Sequence, residues 1–148
     1  MSSIPVDEIE RACQRLVNQY ALYADSGRAE QAAQLFDIQG RLEMPNGKVY
    51  EGREAIRARI AEQPRSQVSC HCLSNMLVTV DDEDSAHAVT YLTMYRGEAA
   101  AGPIALEGPF LVGYYEDRFT RGHEGWRIAS RKLTSTFRRA EQSPGVKT

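Results

Sequence analysis

The sequence predicts an α+β domain in which N-terminal helices pack on one face of a curved, mostly antiparallel sheet. Three observations carry that reading. Up to Pro64, apolar side chains recur mainly at helical spacing. Beyond Pro64 the chain turns to long stretches rich in Val, Thr, Tyr, Leu and Phe. Those stretches are separated by Asp81-Asp82-Glu83-Asp84, by Gly97 to Gly102 and by Arg121 to Gly125, lengths that suit antiparallel connections.

The first helix is predicted from Pro5, with Asp7 and Glu8 at the positive end of its dipole, to the stop Ser26-Gly27. Ile9, Cys13, Leu16 and Tyr20 form its inward stripe, which carries the Tyr20 phenol toward the core. Asp25 falls in the last turn, where the dipole gives a carboxylate no support, so it either has a partner elsewhere or simply leads into the turn. A second helix over Ala29 to Phe36 serves packing. Gly40–Met44 and Lys48–Glu51 flank Pro45-Asn46-Gly47, whose Asn-Gly pair signals a hairpin. A third helix runs from Arg53 to Gln63, between Gly52 and Pro64. Strands are expected near Ser66–Val80, Ala86–Arg96, Pro103–Thr120 and Trp126–Phe137, with Gly108-Pro109 and Gly113 marking bends that let the sheet wrap a cavity. Residues 1–138 then form the domain and 139–148 a flexible polar tail.

A chain of 148 residues, 42% apolar and 26% charged, suits one globular domain with room for a pocket. Its formal charge of −2 offers no basic excess for a phosphate backbone, so nucleic acid is not an expected partner. No apolar run approaches membrane-spanning length, and the start lacks the pattern of a signal peptide. The expectation is a soluble, cytoplasmic protein without a membrane partner. The three cysteines, Cys13, Cys70 and Cys72, are an odd number and fit a reducing compartment. Strand period sends Cys70 and Cys72 to one face and His71 to the other, which argues against joint metal ligation. With no phosphate loop or metal-binding helix motif, no cofactor and no metal are expected.

Strand alternation groups Ser69, His71, Leu73, Asn75 and Leu77 on one face. A histidine among leucines is either a satisfied core residue or a base. Met in one cavity by Asp25, its imidazole would be fixed in one tautomer, leaving the second nitrogen free to accept a proton. Tyr20, five residues before Asp25, can serve the same cavity as a hydrogen-bond donor. Asn75, Tyr91 and Arg131 are the candidate substrate contacts. For Tyr91 core or sheet-surface packing is the default reading, and Arg131, placed inward beside Ala129 and Leu133, binds either an anionic group or a structural carboxylate. Glu43 and Glu107 are further carboxylates whose faces the sequence leaves open. His87 and His123 adjoin charged turns and read as solvated.

Taken together, Tyr20 with Asp25, Leu35-Phe36, Tyr50-Glu51-Gly52-Arg53-Glu54-Ala55-Ile56, His71-Cys72-Leu73-Ser74-Asn75 and Gly125-Trp126-Arg127-Ile128 resemble the SnoaL-like branch of the nuclear-transport-factor-two-like, or cystatin-like, superfamily. The resemblance spans nearly the whole chain. It implies a cone of curved sheet closed by three helices around a ligand cavity, and a homodimer or higher homo-oligomer. Relatives such as bile-acid dehydratase, scytalone dehydratase and hexachlorocyclohexane dehydrochlorinase use an Asp and His pair for proton abstraction, which is similar to Asp25 and His71 here. The bile-acid enzyme also has a tyrosine that Tyr20 matches, but its further acid falls near Met94 in this chain and its late arginine has no clear match. Ketosteroid isomerases resemble the chain at Tyr20, yet their catalytic Asp falls near Met44.

What the resemblance implies is a cofactor-independent lyase of dehydratase type, acting on a small hydrophobic cyclic or aromatic substrate. His71 would be the base, Asp25 its orienting partner and Tyr20 a donor to developing charge or to the leaving group. Three other readings stay open: a hydrophobic-ligand carrier, the small structural subunit of a ring-hydroxylating dioxygenase, and a polyketide cyclase or isomerase.

Overall fold

The computed structural model describes residues 3–140. Helix α1 (Val6–Asp25) begins directly after Pro5 with Asp7 and Glu8 in its first turn, and buries Ile9, Cys13, Leu16, Val17, Tyr20 and Ala21 along one stripe. Its last turn carries no basic residue and ends on Asp25 itself. Helix α2 is short (Ala29–Gln34), and the chain then enters strand β1 (Phe36–Glu43). The expected helix through Phe36 is therefore corrected: Phe36 is fully buried and pairs in parallel with Ile128, so sheet packing overrides the local helical spacing. A turn centred on Asn46-Gly47 leads to β2 (Val49–Glu51), with Gly47 at φ 82° and the Asn46 Oδ1 accepting from the Lys48 N–H at 3.0 Å.

Helix α3 (Arg53–Ala61) precedes four long strands, β3 (Gln67–Asp82), β4 (Ser85–Glu98), β5 (Leu111–Gly122) and β6 (Gly125–Arg138). They form one sheet in the order β2-β1-β6-β5-β4-β3, antiparallel except for the β1–β6 pair. The helices close its inner face. Alternation on β4 puts Ala86, Ala88, Thr90, Leu92 and Met94 inside and leaves Val89 and Tyr91 exposed on the outer face.

Two expectations about β structure change. The strand foreseen from Pro103 begins only at Leu111, because Gly102, Pro103, Gly108 and Pro109 punctuate that stretch and both glycines take positive φ. On β3, Asn75 adopts φ 49° and, with Met76, opposes the single residue Thr90, so the strand's parity flips. Leu77 is consequently 70% exposed while Val78 is buried. Asparagine tolerates this left-handed backbone better than most residues.

Gly113 marks a real irregularity, with the β5–β6 register shifting between Val112 and Gly113. A Cβ there would lie 2.0 Å from the Thr134 carbonyl oxygen, which leaves no room for a side chain. Gly113→Ala is expected to force the two strands apart locally and to destabilise by about 1–3 kcal/mol, checked by urea denaturation at unchanged m-value. At the end of β6, Arg138 pairs with Leu111 and the Arg139 N–H donates to the Phe110 carbonyl at 2.9 Å, so the chain is tied through 139. The rest of the tail foreseen from 139, residues 141–148, lies outside the described residues. Among the described residues no helix is long and apolar enough to cross a membrane.

Candidate active site

The end of α1 and the first half of β3 meet through Asp25 and His71. One carboxylate oxygen, Oδ2, accepts the backbone N–H of His71 at 2.8 Å, and the other, Oδ1, lies 2.5 Å from the ring Nδ1. The helix that could not stabilise a carboxylate at its C-terminus thus delivers it to two donors on a strand. With Nδ1–H donating its hydrogen bond to the carboxylate, Nε2 is left as the accepting nitrogen. The side chains are 20% and 13% exposed, so water does little to weaken the contact.

His71 lines a cleft of about 360 Å³, within the usual range of small-molecule sites. Leu42, Met94, Leu133, Tyr20 and Tyr115 form its floor. Asp25 stands behind His71 and does not line this cleft, which makes it a residue that acts through the imidazole. Exposed residues of the β1–β2 turn, Asn46 and Lys48, and of the α3 end, Glu62 and Pro64, frame the mouth of the cleft.

Tyr20 and Tyr115 meet edge to face at 6.2 Å, and the Arg131 guanidinium lies 4.4 and 3.8 Å from their ring centres. Burial pushes the Tyr20 phenol above its ordinary range, with Arg131 and Arg59 pulling the other way and Asp117 and Asp25 adding to the rise, so Tyr20 stays a proton-bearing donor. Arg131 forms a two-pronged ion pair with Asp117, Nε at 2.7 Å and Nη2 at 2.8 Å, and both side chains are completely buried. Burial disfavours its charge; Asp117 more than restores it, and the guanidinium remains ionised. Of the two readings open for Arg131, the structure gives the structural ion pair. Burial, reinforced by Asp117, pushes the Cys13 thiol up to about 12, which disfavours the thiolate.

The other two expected substrate contacts are not in the cleft. Asn75 is exposed at the bulge whose backbone it shapes. Tyr91 is 51% exposed, opposite Ser74 on the outer face. Two cleft residues, Tyr115 and Arg96, did not emerge from the sequence as site residues, though the alternation of β5 and β4 carries each to the inner face. Among the described residues no group of three His, Cys, Asp or Glu side chains could hold a metal ion.

A helix-closed, curved-sheet cleft with an Asp-supported imidazole in its wall defines the class: an α+β pocket protein of the cystatin-like fold. The chain belongs to the SnoaL-like domain family, which matches residues 8–132. Among solved structures it is similar to a nuclear-transport-factor-two-like protein of cystatin-like fold from Novosphingobium aromaticivorans, at 26% identity over 88% of this chain and 84% of that one, TM-score 0.74. Rv3472, a protein of unknown function from Mycobacterium tuberculosis, is 30% identical over 88% of this chain and 75% of its own, TM-score 0.74. A Novosphingobium protein assigned provisionally as a scytalone dehydratase shares the fold at 20% identity, covering 97% and 93% of the two chains with TM-score 0.76. No curated protein shows significant similarity to the chain.

Proposed function

We propose that the protein is a cofactor-independent lyase that removes water, or another small leaving group, from a hydrophobic cyclic or aromatic substrate. The observation that carries this reading is the Asp25–His71 pair, with its imidazole in the wall of a cleft of substrate size. Nε2 of His71 takes a proton from a carbon next to an electron-withdrawing group. The released electron pair forms the carbon–carbon double bond, and the leaving oxygen, held by a hydrogen bond from the Tyr20 phenol, departs with the proton that His71 has taken up. The imidazolium formed in this step is compensated by Asp25. The structural neighbour assigned provisionally as a scytalone dehydratase is in keeping with the same class of chemistry.

The test is incubation with cyclic β-hydroxy ketones, following the absorbance of the conjugated product. A hydrophobic compound that binds and is recovered unchanged across the panel would favour a carrier instead. Asp25→Asn sharpens the test, because Asp25 satisfies two donors with two oxygens and an amide offers only one acceptor. The imidazole then loses its orientation or switches tautomer. We expect kcat to fall by about 10²–10⁴-fold with ligand affinity nearly kept; parallel loss of both would mark Asp25 as purely structural.

A further inference from the structure

Arg96 stands one step along the inner face from the base. It pairs with Ser69 across β3 and β4, as Met94 pairs with His71, so Arg96 and His71 are diagonal neighbours separated by roughly 7–8 Å. Both line the cleft. The Arg96 side chain is half-buried, stacked with its guanidinium 4.4 Å from the Phe110 ring centre, and its Nε donates to the Ser69 hydroxyl at 3.3 Å. That hydroxyl is buried and also accepts from Gln63 Nε2 at 3.0 Å, which fixes the guanidinium plane. Nη2 has only the thioether of Met94, at 4.0 Å, a weak acceptor that leaves its donors largely unspent.

The charge is not neutralised by the protein. Among the described residues no carboxylate pairs with Arg96. Burial holds its guanidinium below the usual arginine range, and the nearby Arg59 and Arg138 lower it further. Arg59 differs, since Glu62 lies 3.7 Å from it at the rim. A half-buried cation pressed by like charges and braced at Nε is costly unless something else completes it.

We propose that Arg96 is the anchor for a carboxylate on the substrate, so that the cleft takes an acidic ring compound with its anion held at Arg96 and its reacting carbon at His71. The proposal deepens the lyase reading and rests on it for the word substrate; the anion site itself is a matter of binding. Arg96 makes a two-pronged contact with a carboxylate through donors that an amide or ester cannot use equally. The aromatic and aliphatic floor takes the ring. Fixing one end of the molecule a few bonds from the abstracted proton is how such a site orients a substrate for a single base.

The experiment is calorimetric titration of the full chain with 1-naphthoate and 1-naphthamide, isosteres that differ in charge, extended to the corresponding one- and three-ring pairs. Wild type is expected to bind at least one carboxylate roughly 10–100-fold more tightly than its amide. Arg96→Gln should bring that carboxylate down to the level of the amide and leave the amide unchanged. Equal binding of both members by wild type, binding of neither, or a preference that persists in Arg96→Gln overturns the proposal. If Arg96→Gln does not fold, Arg96→Lys decides: the point charge without the fork should reduce the preference severalfold, and an unchanged preference overturns it. Turnover by the wild type separates this inference from the lyase reading: a carboxylate preference with no turnover of any compound supports the anion site alone, whereas turnover of neutral compounds with no carboxylate preference removes the anion site alone.

Discussion

Replacing His71 by Ala is expected to lower kcat/KM for elimination by about 10²–10⁴-fold, the contribution of a positioned general base. The folded state should survive. His71 sits in the cleft wall with its side chain 13% exposed, so truncation enlarges an existing opening and adds no sealed void to the core. The backbone N–H of residue 71 remains, and it keeps one oxygen of Asp25 satisfied at the 2.8 Å contact seen here. Ligand affinity should accordingly change little while turnover collapses. His71→Gln is the informative companion, because its amide can still bond Asp25 but presents no basic nitrogen; it should be as inactive as the alanine variant. Substantial turnover in either variant would assign proton abstraction to another group and leave the Asp25–His71 contact as a brace between α1 and β3. Kinetics of both variants, with circular dichroism as a control for folding, make the distinction.

The central pair was legible because two regular periods point at it. A 3.6-residue period puts Tyr20 on the buried stripe of α1 and carries Asp25 to its end, and a two-residue period turns His71 inward on β3. The errors lie where a period breaks. The left-handed Asn75 flips the parity of β3, so that side chain became a shaper of the strand and Leu77 went to solvent. Such a bulge depends on pairing with a distant strand, which local pattern does not encode. Phe36 fits a helix locally and becomes a strand residue because β6 pairs beside it. Tyr91 is different: inner residues Ala88, Thr90, Leu92 and Met94 alternate around it, and the same count carries Arg96 inward. That information was present in the sequence. So was Asp117, which the same alternation places between the inward Tyr115 and Phe119 on β5.

Asp117 carries the largest expected effect on stability. Its carboxylate and the Arg131 guanidinium are fully buried and paired through two hydrogen bonds, on facing positions of β5 and β6. The third nitrogen, Nη1, has no hydrogen-bond partner among the described residues, which leaves Asp117 and the rings of Tyr20 and Tyr115 to stabilise the charge. Asp117→Ala therefore strands a cation in the core and is expected to cost about 3–5 kcal/mol, read as a shift of the urea midpoint. Removing both charges should behave differently. In Asp117→Leu with Arg131→Met, apolar side chains of comparable reach replace the pair, and the thioether can take the position between the two tyrosine rings. That double variant should recover most of the loss, because desolvating two ions nearly cancels their attraction. Tyr20 would then keep its place against Phe36, 5.9 Å away edge to face, and the cleft floor would keep its shape. Recovery of stability together with ligand binding would make the ion pair a replaceable element of the core. Recovery of stability with loss of binding would instead show that the charge of Arg131 acts on the cleft through the two tyrosines it contacts.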